Sequence, residues 1–116
     1  MNVYQAFFTL KPGVYDMDFV AGLNAYMGYL KDRGDLKTWR LLRRKLGLGP
    51  SATGEWQLLM EFENLAQLDH AFGHVSTRAG DVEVKHHGVN HMIDTVTFGL
   101  YRDFPDPGRE TGEEKF

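Results

Sequence analysis

The most regular alternation of apolar and polar residues runs from Glu55 to Glu63, where Trp56, Leu58, Met60 and Phe62 are interleaved with Gln57, Leu59 and Glu61. A period of two places every second side chain on one face of a strand. The preceding stretch, Leu36 to Leu48, is a second arm of bulky residues. Gly47, Gly49, Pro50, Ser51 and Gly54 lie between the arms and force the chain to turn, so residues 36–63 predict a long β-hairpin. Val3 to Leu10 alternates as well, with Tyr4, Ala6, Phe8 and Leu10 on one face and Val3, Gln5, Phe7 and Thr9 on the other. Lys11, Pro12 and Gly13 stop that run, which reads as a strand apolar on both sides.

The spacing changes to helical between these segments. Asp16 offers an N-cap, and Phe19, Val20, Leu23, Tyr26, Met27 and Leu30 recur on one stripe until Gly34 supplies a stop. Asn64 and Gln67 form a capping-box pattern ahead of a second stripe, Leu65, Leu68, Phe72, Val75 and Ala79, which ends at Gly80. Asp81 offers a cap for a short third helix over Val82 to Met92, although VEVKHH also suits the end of a strand. Thr95 to Tyr101 alternates again and predicts a fourth strand.

The order βαββαβ with one small extra helix is the split pattern of a ferredoxin-like α+β sandwich, a four-stranded antiparallel sheet with its helices on one face. Phe7, Leu59 and either Leu41 or Leu42, depending on register, must then lie on the other face. An apolar patch of several hundred square ångströms marks an interface. A second copy, packed sheet against sheet about a twofold axis, would cover it. Residues 1–104 make one domain. Residues 105–116, with Pro105, Pro107, Gly108 and Gly112, read as a flexible C-terminal tail without a core, in which Phe116 alone is suited to docking.

At 116 residues the chain can bury about two thirds of its unfolded surface without staples. It has no cysteine, which removes disulfides, thiolate metal sites and cysteine nucleophiles and makes a reducing cytoplasm the expected compartment. A net charge of −3 speaks against a general nucleic-acid binder, despite the local basic strip of Lys31, Arg33, Lys37, Arg40, Arg43, Arg44 and Lys45. No run approaches the roughly 18 apolar residues of a membrane helix, so neither nucleic acid nor membrane is an expected partner.

Residues 1–104 resemble the dimeric α/β-barrel superfamily, and LLRRKLGLGP, LAQLDHAF, KHHGVNH and FGLYRDFPD resemble an uncharacterised bacterial family within it. The resemblance implies a homodimer whose two sheets enclose a barrel, with a small-molecule cavity inside it or between sheet and helices. It implies no single activity, since relatives include cofactor-free monooxygenases, haem-degrading enzymes, lactone isomerases and non-catalytic members. The haem-degrading pattern asks for an Asn on the first strand, a Trp near the end of the third and a His soon after in the second helix. This chain has Gln5, an early Trp56 and Phe72 there, so none of those roles carries over and no cofactor is predicted.

Among candidate residues, His86 shares an apolar helical stripe with Val82, Val89 and Ile93, with Asn90 beside it. It suits a general base or a ligand-orienting group, or else a core histidine bonded to a backbone carbonyl. The pairs His70/His74 and His87/His91 have chelating spacing, but two ligands fall short of the three or four that zinc takes, and they read as solvent-exposed with no metal. On the second strand Arg43 and Lys45 share a face with Trp39 and Leu41, and Arg40 and Arg44 share the other with Leu42 and Leu46. Either set would hold a ligand carboxylate or pair with Glu61 or Glu63. Gly49 to Gly54 has a phosphate-loop spacing without the Lys and Ser or Thr such a loop needs. The reading is therefore a dimer that binds or transforms a small organic molecule, with His86 as the candidate catalytic group and Gln5, Arg40, Arg43 and Asn90 as candidate ligand contacts. Its rival is a non-catalytic structural or ligand-binding homodimer in which those groups pair internally.

Overall fold

A computed structural model of the chain describes residues 1–112. The elements are β1 (Asn2–Leu10), α1 (Asp16–Asp32), β2 (Thr38–Arg43), β3 (Trp56–Phe62), α2 (Leu65–Ser76), α3 (Gly80–Asn90) and β4 (Ile93–Arg102). The strands form one antiparallel sheet in the order β2-β3-β1-β4, the predicted ferredoxin-like arrangement. Among the described residues no helix is long and apolar enough to cross a membrane.

The alternation in β3 becomes a buried face of Trp56, Leu58, Met60 and Phe62. Register sets Ala6 beside Leu58 and Phe8 beside Trp56, so β1 adds to the same face. The α1 stripe of Phe19, Leu23, Met27 and Leu30 closes over it and is fully buried. Phe8, Phe19 and Trp56 pack ring to ring, with centroids 5.2 to 6.3 Å apart. Each such side chain contributes roughly 1.5–3 kcal/mol by leaving water. At Gly54 the chain passes so close to β1 that an added Cβ would fall within the backbone of Phe8, so only glycine fits.

Several boundaries differ from the expectation. The first hairpin arm ends at Arg43 rather than Leu48, because Leu46 takes a left-handed φ of 58° and Arg44 leaves the strand to close the loop. The Arg44 guanidinium donates to the carbonyls of Pro50 and Thr53 at 2.7 and 3.0 Å, which leaves Leu46 and Leu48 exposed. Asp16 is the first helical residue and not a cap, and Asp81 likewise lies inside α3; neither helix has a side-chain N-cap. The Asn64 cap does form, as its Oδ1 accepts from Gln67 N, while Gln67 Oε1 accepts from Glu63 N. However, α2 stops at Ser76, with Leu65 exposed and Ala71 buried in place of the predicted stripe ends. The predicted third helix is present as Gly80–Asn90, and it packs against α1 close to Gly22, with Met92, Gly88 and Val89 as the nearest neighbours.

Register also decides which leucine of β2 faces away from the helices. Leu42 pairs with Gln57, and Arg40 with Leu59, so Leu42 and Arg40 join Val3, Gln5, Phe7, Leu59 and Glu61 on the open face. Beyond β4, Arg102 meets Asp106 at 3.5 Å and Arg109 lies over the Phe104 ring. Phe116 lies outside the described residues.

The helices are tied to one another at a buried carboxylate. Asp35, 2% exposed in the loop after α1, accepts from Arg33 Nε at 3.0 Å and from His70 Nδ1 of α2 at 2.7 Å. Gln67 Nε2 donates to Gly34 O at 2.9 Å, and the Tyr29 hydroxyl bonds His74 Nε2 at 2.9 Å. His70 is solvent-exposed as expected and His74 half-buried, yet each also holds α2 to α1 or its following loop. Burial alone would raise the Asp35 pKa, but the hydrogen bonds from Arg33 and His70 outweigh it and hold it below its ordinary value. A lowered carboxylate stabilises the fold above its ordinary pKa of 3.8 and loses that contribution as pH falls through the folded value. Urea titrations from pH 6 down to 2 should show this acid loss. In Asp35→Asn the acid loss should shrink and neutral-pH stability should drop by about 2 kcal/mol, the scale of hydrogen bonds to a charged group.

Candidate functional site

A cavity of 410 Å³ lies between the sheet and the three helices. Its wall is apolar: Tyr4, Phe72 and Phe98 form an aromatic side, with Tyr4 edge-on to Phe72 at 5.0 Å and stacked on Phe98 at 5.4 Å. The mouth opens past β4, where Phe98 stays 60% exposed because no helix covers that strand. A volume in this range suits a small organic molecule.

The polar groups gather at one end. Tyr26 of α1, Arg78 of the α2–α3 connection, and His86 and Asn90 of α3 all line the cavity. Thr77 caps α2, and Arg78 turns the chain with a left-handed φ of 53° so that α3 can begin. The His86 side chain is 19% exposed; its ring stands edge-on to Tyr26 at 5.8 Å, and its Nδ1 lies 3.3 Å from Arg78 Nη1. A guanidinium only donates, so Nδ1 is the bare acceptor and the neutral ring carries its proton on Nε2. Glu83 stands behind, 3.9 Å from Arg78 and 3.8 Å from His86, with its Oε2 covered and without a hydrogen-bond partner.

These surroundings favour uncharged forms. Burial lowers the His86 pKa, and Arg78 lowers it further against the opposing Glu83. Burial likewise pushes the Tyr26 phenol up to about 12, with Glu83 adding to the rise and Arg78 opposing it. With Nδ1 engaged, His86 offers a donor to the cavity rather than a base.

Of the five candidate residues, the fold brings His86 and Asn90 together. Gln5 and Arg40 lie in one row on the opposite face of the sheet, joined through Leu59. Arg43 is on the helix side but at the sheet edge, 4.6 Å over Trp56 and paired with Asp16 and Glu55 at 3.1 and 3.3 Å. Those partners replace the expected Glu61 or Glu63. His87 and His91 stack on each other, and His91 Nδ1 donates to His87 O. Sequence reasoning did not single out Arg78 or Glu83, and it assigned Tyr26 to packing. Nothing local marks Arg78, since a cation after a helix is ordinarily a dipole partner.

Comparison places this geometry among known folds. The sequence profile of a family of unknown function, DUF6614, matches residues 1–116. No curated protein matches the sequence. A protein of Arabidopsis thaliana superposes with a TM-score of 0.71 at 9% identity, over 91% of this chain and 98% of that one. SnoaB, a cofactor-independent oxygenase from Streptomyces nogalater, gives 0.66 at 9% identity over 93% and 97%. A dimeric ferredoxin-like protein of unknown function from Thermobifida fusca gives 0.60 at 12% identity over 86% and 88%. At these identities the likeness is one of fold.

Two titrations check the electrostatics. Ultraviolet absorbance should show one tyrosine ionising near pH 12, well above the ordinary 10, and Tyr26→Phe should remove that step. Proton NMR should show the His86 imidazole titrating below the ordinary 6.5. A depressed value means that His86 supports the fold above pH 6.5 and loses that support as pH falls through its folded pKa.

Proposed function

The chain belongs to the DUF6614 family of unknown function, and from that premise we propose that it is a homodimer that binds a small, largely apolar organic molecule between its helix layer and the β1–β4 half of its sheet. One observation carries the reading: a 410 Å³ apolar cavity whose polar groups converge at a single end. A space left by poor packing would have no reason to collect Tyr26, Arg78, His86 and Asn90 at one point. Turnover in the same cavity is the second reading, favoured by the neutral His86 held beside Tyr26 and by a fold shared with a cofactor-independent oxygenase. In that reading His86 would be the group nearest the chemistry, as a donor to a carbonyl or developing oxyanion.

The open face supports the dimer. Val3, Phe7, Leu42 and Leu59 make it too apolar to stand in water, and dimeric proteins occur among structures of the same fold. Arg40 and Gln5 then belong to the interface between sheets rather than to the cavity.

A ligand screen by thermal shift tests the cavity. A ligand at a hundred times its dissociation constant adds about 2.7 kcal/mol. His86→Ala should abolish that gain at modest cost to the unliganded fold; a loss of about 1–3 kcal/mol with ligand binding intact would make His86 structural instead. Sedimentation at micromolar concentration tests the dimer. Wild type should sediment at the mass of two chains and Leu59→Glu at the mass of one; a monomeric wild type would remove the dimer.

A further inference from the structure

Among the described residues that line the cavity, Arg78 is the only one with a permanent charge; no lysine and no carboxylate shares the lining. Its position is conformationally costly, because a left-handed backbone suits glycine or asparagine better than a residue with a long side chain. A turn alone would not call for arginine there. Nor does its ion pair with Glu83 explain it, since at 3.9 Å and with Arg78 62% exposed such a contact contributes little. Of the five guanidinium N–H groups the structure engages one, with His86 Nδ1, and the side chain that carries the rest lines a largely apolar chamber. A planar fork of donors matches a carboxylate in two parallel hydrogen bonds. The neutral Tyr26 and His86 add O–H and N–H donors to the same end, and neither contributes a competing negative charge.

We propose that the cavity takes a monocarboxylate, an aryl or alkyl acid whose apolar body lies along Tyr4, Phe72 and Phe98 and whose carboxylate is held by Arg78. This rests on the reading of the cavity as a binding site and adds the chemical class of its ligand. A cationic ligand finds no lining carboxylate, because Glu83 lies behind the wall with its Oε2 covered. A neutral ligand fills the apolar part and leaves the guanidinium fork unused.

Isothermal calorimetry with three probes of one shape tests the assignment: a naphthoate, its primary amide and the corresponding naphthylmethylamine. The naphthoate should bind, the amide should be weaker by on the order of ten- to a hundredfold, and the amine should not bind. Arg78→Asn, chosen because asparagine tolerates the left-handed backbone, should bring the naphthoate down to the level of the amide, while Arg78→Lys should recover part of the difference. Equal binding of acid and amide by the wild-type protein overturns the acid assignment and leaves the cavity reading standing. An unchanged naphthoate affinity in Arg78→Asn does the same. If none of the three probes binds the wild-type chain, both fall. The wild-type series needs no variant, so a misfolded Arg78→Asn cannot shield the proposal.

Discussion

The buried Asp35 carboxylate determines where the second helix can lie. A charge taken out of water must find partners, and the two it has are Arg33 at the end of α1 and His70 in the middle of α2. Gln67 and His74, one turn to either side along α2, bond Gly34 and Tyr29 of the same region. A helix held to α1 in this way cannot also settle on β4, which lies at the far edge of the sheet. The cavity lies between the sheet and the layer so anchored, with α1, α2 and α3 all contributing to its wall.

That cavity has an unusual electrical character. Tyr26 and His86 shift in opposite directions for one reason, since desolvation disfavours phenolate and imidazolium alike. Both are therefore neutral hydrogen-bonding groups near neutral pH, and Arg78 is left as the charge that the lining presents. Glu83 balances it from behind at nearly 4 Å, a distance that moderates the field without consuming the guanidinium donors.

The two faces of the sheet illustrate how similar patterns serve different ends. Both are built from alternating strands, yet on the helix side the alternation meets Phe19, Leu23, Met27 and Leu30, and on the open side it meets nothing within one chain. Arg40 and Arg43, three residues apart in β2, are separated by this division. Arg43 is drawn into a set of exposed ion pairs beside Trp56, and Arg40 is left among Leu42, Leu59 and Gln5.

Local periodicity was enough to read the order of elements. The period of two in Glu55–Glu63, the stripe from Phe19 to Leu30 and the Asn64–Gln67 cap are all short-range properties, and each appears in the structure much as the spacing implies. Strand and helix ends were less legible, because the end of β2 depends on Arg44 reaching carbonyls six and nine residues away. The candidate site was half legible: His86 and Asn90 share a helix face that the wheel reveals, whereas Tyr26, Arg78 and Glu83 come to them from other turns and another helix. The sequence by itself determined the βαββαβ order, the core face and the helix face that sets His86 with Val82 and Val89, although Ile93, expected on that helix, opens β4 instead. Only the tertiary structure decided which leucine of β2 faces the helices, where α2 is anchored and which charge enters the cavity. The physical reason is range: alternation, stripes and caps act within a turn or two of chain, whereas register and helix placement are settled by contacts between residues tens of positions apart.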